Sequence, residues 1–329
     1  MTLDLEKAPI IMMRLNQKYN KCTVKNPLVS CAIFVFNGEK NIARIINDIS
    51  NQTYQNLEIC ISDNNSDDNT RSIIKQLSKK NSMIRVVFQT ENKGPWLNAV
   101  EAIRLTKGDY VFLASVDDKY DNTFVEELLS RLKKNQKSVV AMCATALINE
   151  EHQINKKIIF KELRNPLFQK KMPNMIMNLN SEIKDKKYNF FIYGLYKKEF
   201  LTNTLLKFPE IFELSDRLLP LIASLIGPLE HTPKILFNKT TYDSKFDQRH
   251  AGMSTSRAYI RRKSKNRIFV WIYIILRLKL LTLSQKIQAI KIFFPFLFYL
   301  YFFQPAGKHL RILIPKKYRP KIKKLVKMP

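Results

Sequence analysis

Glycine is scarce, with seven in 329 residues, and none sits in a GxGxxG or GxxxxGK[ST] arrangement. That argues against the phosphate-cradling loops of dinucleotide-binding dehydrogenases and P-loop phosphotransferases. Cysteine is sparse too. Cys22, Cys31, Cys60 and Cys143 show no CxxC spacing, and two of them fall in predicted strands, so they read as reduced, buried thiols of a cytosolic protein and not as a zinc site. No apolar run reaches the roughly 20 residues that span a bilayer. Met1 to Val24 mixes Asp4 and Glu6 with lysines, so no signal peptide is expected. Acid is missing from the whole carboxyl-terminal part: after Asp247 there is no Asp or Glu, against 20 Lys and Arg. The residues up to Asp247 hold the other 36 basic and all 28 acidic groups, so most of the net charge of +28 belongs to the tail.

What is present is a repeating pattern. A hydrophobic content of 45% over 329 residues supports a globular core, in one large domain with an appendage or in two smaller ones. Leu28 to Phe36 is a near-continuous apolar strand closed by Asn37-Gly38, followed by Ile42, Ile45, Ile46 and Ile49 at helical spacing. Leu57 to Ile61 is a second strand, with Ile73, Ile74 and Leu77 marking its helix. Ile84 to Phe88 is a third, leading through Asn92-Lys93-Gly94-Pro95 into a helix with Trp96, Val100 and Ile103 inward. Tyr110 to Ala114 is a fourth, ending in Asp117-Asp118, with a helix start at Thr123 and Glu126 completing a capping box. Strands alternating with such helices imply right-handed crossovers and a mainly parallel sheet covered on both faces.

In such a sheet the residues after each strand share one edge, where ligands bind. Asn37, Asp63 and Asp117-Asp118 all follow apolar strands. Each keeps a second reading: Asn37-Gly38 as a tight turn, Asp117-Asp118 as a solvated turn or as oxygen ligands for a divalent cation, and Asp68 as the cap of the following helix.

Five segments together carry a resemblance. Asn37-Gly38-Glu39, the run Asn51 to Ile59, the run Ser62 to Thr70, Asn92-Lys93-Gly94, and Gly108 to Asp118 resemble, in order and spacing, the amino-terminal half of family 2 glycosyltransferases. The resemblance implies a GT-A (Rossmann-like) α/β fold and a nucleotide-sugar donor, UDP-linked by family habit. It implies a donor site drawing on Phe36, Asn37, Glu39, Asp63, Asn92, Gly94, Asn98 and Asp117. Within it, Asp63 serves the base, Asp117 the ribose, and Asp118 a Mn2+ or Mg2+ ion on the diphosphate. Ser115 departs from the family pattern, which usually has a further aspartate there.

Residues from about Asn149 to Lys187 read as a loop-rich connection, and Tyr188 to Tyr196 as an aromatic strand in which Gly194 permits close backbone approach. Leu218, Leu219, Ile222 and Leu225 mark a helix with Ser215-Asp216 at its start. Asp216 either caps that helix or, as the resemblance implies, is the general base of an inverting transfer. His250 is either a surface histidine or, again by resemblance, a further metal ligand. His231, beside Pro233, has no such support, and His152 and His309 read as solvated residues.

The tail interleaves basic residues with aromatic and aliphatic bulk, in Ile268 to Leu276 and in Ile292 to Phe303. That composition suits interfacial helices on an anionic membrane surface better than nucleic-acid contacts. The expected organisation is an extension over 1–26, a GT-A domain over 27–256 (donor half 27–135, acceptor half 136–256) and basic amphipathic helices over 257–329. The expected setting is cytoplasmic and peripheral to the membrane, with a saccharide or lipid-linked saccharide as acceptor and no nucleic-acid partner. The competing class is a non-catalytic basic membrane- or nucleic-acid-binding protein on an α/β scaffold.

Overall fold

The computed structural model describes residues 26–149, 151–159, 191–208, 218–241 and 275–291. Its first half repeats one unit: β1 (Val29–Val35), α1 (Ile42–Ser50), β2 (Leu57–Asp63), α2 (Thr70–Lys80), β3 (Ile84–Phe88), α3 (Pro95–Leu105), β4 (Tyr110–Ser115). The strands pair in parallel in the order β3-β2-β1-β4, so their carboxyl ends share one edge. Alternation along the strands sorts the core into two layers. Val29, Cys31, Ile33 and Val35 of β1 join Tyr110, Phe112 and Ala114 of β4 beneath α1, while Ala32, Val111 and Leu113 pack on the other face with Ala99, Val100, Ala102 and Ile103 of α3. Helices therefore cover both faces, as expected. The buried strand thiols are inert: burial pushes Cys60 and Cys143 up to about 12.

After a two-residue β5 (Lys119–Tyr120) and α4 (Phe124–Lys134), the second half is mixed: β6 (Val140–Ile148), β7 (Ile154–Ile158), β8 (Leu195–Lys197), α5 (Lys198–Asn203), α6 (Leu218–Ile226) and β9 (Glu230–Thr240). The sheet continues β4-β8-β6-β9-β5, with β6 parallel to β9 and antiparallel to β7 and β8. Gly194 lies where a side chain cannot fit, since a Cβ there would stand 2.7 Å from the Ala141 carbonyl oxygen.

Four local expectations change. The stretch after Asn149 opens with a strand, β7, hairpinned on β6. The aromatic run is not one strand: residues 191–193 form a 3-10 turn, and only Leu195–Lys197 pairs. The capping box at Thr123 does not form: Asp121 Oδ1 accepts the Thr123 amide (2.9 Å), the donor that Glu126 would have taken, and also the Thr123 hydroxyl (2.6 Å). Glu126 accepts from Thr53 Oγ1 (2.8 Å) instead. Finally, residues 275–291 of the expected tail join the core, with Ile275, Leu278, Leu281 and Ala289 buried alongside α6 residues.

Part of the run Asn51 to Ile59 is architecture. Gln52 Nε2 donates to the Asp121 carbonyl (2.7 Å) and Gln52 Oε1 accepts the Val125 amide (3.1 Å), tying the end of α1 to the entry of α4.

Candidate functional site

An open cleft of about 140 Å³ lies at the carboxyl edge of the parallel strands. Phe34, Val35 and Phe36 come to it from β1, Asn64 from beyond β2, Asn92, Pro95 and Asn98 from the entry to α3, and Ser115, Val116 and Asp117 from the end of β4. It occupies the place where ligands bind in open α/β sheets.

The loop after β1 is held from behind by the loop after β2. Asn37, at φ 51°, donates its amide to Ser66 Oγ (2.9 Å), and its side-chain oxygen accepts the Asp67 amide (3.1 Å). Gly38 N–H donates to Thr70 Oγ1 (2.8 Å). Asp68 accepts the amides of Glu39 (3.1 Å) and Thr70 (2.9 Å), so from one residue before the N-cap Asn69 it holds the first amide of α2 while also fixing the opposite loop. Burial pushes its pKa up, but hydrogen bonds from Thr70 and Glu39 outweigh this and hold it below the usual range. Glu39 accepts from the Asn69 amide (3.0 Å) and side chain (3.1 Å).

Asp63 closes β2 fully buried. Its Oδ2 accepts from Arg71 Nε (2.6 Å) and the Ser66 amide (3.2 Å), while Oδ1 is buried with no hydrogen-bond partner among the described residues. Asn98 is equally enclosed: its amide donates to the carbonyls of Val35 and Ser62 (3.1 Å each) and its oxygen accepts from Ser62 Oγ (2.6 Å), pinning α3 to the ends of β1 and β2. Asn92 Oδ1 accepts from Asn64 Nδ2 (2.7 Å) and the Gly94 amide (2.9 Å). Gly94, at φ 82°, makes the left-handed turn that starts α3 with Pro95 in its first turn.

The acidic turn is held from two sides. Arg44 of α1 donates to the carbonyls of Val116 (2.8 Å) and Asp118 (3.0 Å), and Thr240 Oγ1 of β9 to that of Asp117 (2.5 Å). All three carbonyls around Asp117 are thereby fixed. Its carboxylate accepts from Asn41 Nδ2 (3.2 Å) and lines the cleft. Asp118 is different: it is fully buried, with one oxygen accepting the Thr240 amide (3.1 Å) and the carboxylate paired with Lys239 Nζ (3.1 Å). Burial pushes Asp118 up to about 6 against the pull of Lys239. The Lys239 ammonium also lies over the Tyr193 ring, 5.0 Å from its centroid. Burial disfavours its charge, but Asp118 and Tyr193 outweigh that and hold its pKa above the usual lysine range.

Of the residues expected at the donor site, Phe36, Asn92, Asn98 and Asp117 line the cleft. Asn37, Glu39, Asp63 and Gly94 shape its walls through the bonds just described. Asp118 does not suit the cation role expected of it, because β9 engages both of its oxygens; the carboxylate on the cleft is Asp117. Asp216 and His250 lie outside the described residues. Asn41, Arg44, Arg71, Lys239 and Thr240 were not singled out from sequence. Asn41, Arg44 and Asp48 do form a polar stripe at helical spacing beside the α1 isoleucines, a readable signal, whereas nothing in the sequence of β9 distinguishes Lys239.

No group of three or more His, Cys, Asp or Glu side chains converges among the described residues. A divalent cation on a diphosphate needs fewer, since one or two carboxylates and the phosphates themselves complete its oxygen shell. Asp117 on the cleft fits that minimum.

Residues 30–203 match the sequence profile of Glycosyl transferase family 2. Among curated relatives, chondroitin synthase of Escherichia coli is 33% identical over 131 residues, 40% of this chain and 19% of that protein. The GalNAc(5)-diNAcBac-PP-undecaprenol beta-1,3-glucosyltransferase of Campylobacter jejuni is 26% identical over 183 residues, 54% of each chain. The chain thus spans about half the length of one of these relatives and a fifth of the other. Among solved structures, S. aureus TarS 1-349 in complex with UDP-GlcNAc superposes with a TM-score of 0.57 at 15% identity, covering 90% of this chain and 78% of that one, a likeness of fold.

Proposed function

The chain belongs to glycosyl transferase family 2, and from that premise we propose that it transfers a sugar from a nucleoside diphosphate, UDP by preference, to a saccharide acceptor in surface-glycan synthesis. The observation that carries this reading is the cleft at the strand ends with a single open carboxylate, Asp117, on a turn whose carbonyls are all clamped. A rigid acidic group at that edge is what a diphosphate-bound cation requires.

In this reading Phe36, 37% exposed at the cleft, offers an aromatic face to the donor, and Asn92 offers an amide. Asp63 and Asn98 act from behind, holding the strand ends in register. Asp117 would hold Mn2+ or Mg2+, whose chemistry would be to neutralise charge on the departing diphosphate. Asn41 orients the Asp117 carboxylate, and Arg44 and Thr240 keep the turn from relaxing. Asp216, beyond the described residues, takes the proton of the acceptor hydroxyl, which makes the transfer a single inverting displacement. His250 is a candidate to complete the cation shell.

A lipid-linked acceptor is supported by the basic tail and by the undecaprenol-linked substrate in the name of the Campylobacter jejuni relative. No helix among the described residues is long and apolar enough to cross a membrane. The test is release of nucleoside diphosphate from a panel of nucleotide sugars in the presence of lipid-linked saccharide extracts. Turnover that vanishes in Asp117→Ala and Asp216→Ala supports the reading. Wild-type turnover at the level of both variants would return the chain to a non-catalytic binding role.

A further inference from the structure

Most large apolar side chains of the described residues are buried, and of the six that are exposed three fall between residues 275 and 291: Leu276 (50%), Leu283 (73%) and Ile287 (44%). Two of them lie on one helix, α7, residues 283–291. This helix is well formed. Thr282 and Gln285 make a reciprocal capping box, the Gln285 amide donating to Thr282 Oγ1 (3.2 Å) and the Thr282 amide to Gln285 Oε1 (2.7 Å). It is also firmly docked, since Gln285 Nε2 donates to the Leu225 carbonyl at the end of α6 (2.5 Å) and Ala289 is fully buried.

The docking is inverted relative to an ordinary surface helix. Gln285 and Ala289, four residues apart, face the protein, while Leu283 and Ile287, also four apart, face away from it. Lys286 donates to the Leu276 carbonyl (2.8 Å), bringing the preceding segment, with helical residues 275–277 and the exposed Leu276, beside the helix. Lys279 and Lys291 are exposed in the same segment.

We infer that α7 and the turn before it form the surface on which this protein sits on an anionic lipid bilayer, with Leu276, Leu283 and Ile287 entering the acyl region and Lys279 and Lys291 meeting the headgroups. The inference deepens the lipid-linked acceptor reading and rests on it for its purpose. Charge selects the occupant. A second copy of a chain with net charge +28 is repelled, and a nucleic acid would accept the charge but leave the apolar side chains in water; an anionic bilayer satisfies both. The sequence runs from α7 directly into Phe293, Phe294, Phe296, Phe298, Tyr299 and Tyr301, a composition suited to the same interface.

The experiment is flotation of the purified full chain with phosphatidylcholine vesicles, with and without phosphatidylglycerol, at low and high salt. We expect binding only to the anionic vesicles, weakened by salt, and a loss of about tenfold or more in Leu283→Asp/Ile287→Asp. In a Trp96→Phe/Trp271→Phe background, Ile287→Trp supplies a second readout: its fluorescence should be quenched by brominated acyl chains, and that of Ile154→Trp, exposed on β7, should not. Equal vesicle binding by wild type and the double variant, no binding by either, or a dimer that the double variant dissolves would each overturn the inference. UDP binding measured on the same samples separates these failures from failure of the transferase reading, because it needs no lipid.

Discussion

At the amino-terminal edge of the parallel strands, the buried carboxylate of Glu58 accepts from Ser30 Oγ (2.6 Å) and from the amides of Lys107 (2.5 Å) and Gly108 (3.1 Å), with Arg85 at 3.5 Å. At the carboxyl-terminal edge of the same strands, among the described residues, Asp63 keeps one oxygen without a partner and the Asp117 side chain carries a single bond, from Asn41, on an open cleft. One edge spends its carboxylate on closing the sheet. The other holds its acid in place and leaves hydrogen-bonding capacity unused. The contrast separates stability from function along strands a few residues long, and Asp118 marks the border, since it stands next to the cleft acid yet is committed to β9.

The largest expected effect that would sharpen this comparison is at Asp117. Asp117→Ala should lower transfer by about 10²- to 10³-fold, the usual cost of losing a group that stabilises developing charge. Its melting temperature should stay that of wild type, because one side-chain bond is lost at an open site. Lys239→Met should do the reverse. It strands a buried carboxylate and should cost about 3 kcal/mol of stability, most of it recovered in Lys239→Met/Asp118→Asn. Denaturant unfolding of the three variants measures this, and additive losses would contradict the pairing.

A smaller effect is expected from Gly108→Ala, whose Cβ would stand 2.5 Å from Ser30 Oγ and 2.7 Å from the Leu28 carbonyl oxygen. About 1–3 kcal/mol of destabilisation should follow, with nucleotide affinity unchanged in the folded fraction. That split, read by unfolding and by titration, would break the comparison if affinity fell as well.

The smallest effects are in pH, and they have opposite signs at the two edges. Burial raises the Glu58 pKa, but hydrogen bonds from Ser30, Lys107 and Gly108 and the charge of Arg85 bring it below the usual range. Its contribution to stability is therefore present above the unfolded value of about 4.3 and lost as pH falls through the lower folded value. Asp118, raised to about 6, binds its proton more tightly when folded, so its contribution is present below the unfolded value of about 3.9 and lost as pH rises towards 6. Stability followed from pH 3 to 7, on the order of these pKa values, should lose its acid slope in Glu58→Gln and its opposing slope in Asp118→Asn.

The parallel half was legible because its signals are local. Apolar runs, helical isoleucine spacing and turn residues fixed β1 to β4 and their helices, and the edge that gathers Asn37, Asp63 and Asp117 followed from topology. The resemblance gave the ribose to Asp117 and the cation to Asp118, but adjacent carboxylates differ only in what packs on them, and that comes from β9, more than 120 residues along the chain. The same distance hid Lys239 and Thr240. The burial of Ile275, Leu278 and Leu281 was not legible either, because they read as part of a basic, bulky tail and only the core cluster they share with α6 residues encloses them. Thr123 and Glu126 had the spacing of a capping box, but Asp121, two residues upstream, takes the Thr123 amide.

The most direct test of the central claim, that Asp117 on its clamped turn forms the cation end of a nucleotide-sugar site, is calorimetric titration of the full chain with UDP, with and without Mn2+. The account predicts cation-dependent binding that is abolished in Asp117→Ala, with its melting temperature unchanged. Binding in Asp117→Ala equal to wild type, or no binding of UDP or any other nucleoside diphosphate by wild type, would contradict it.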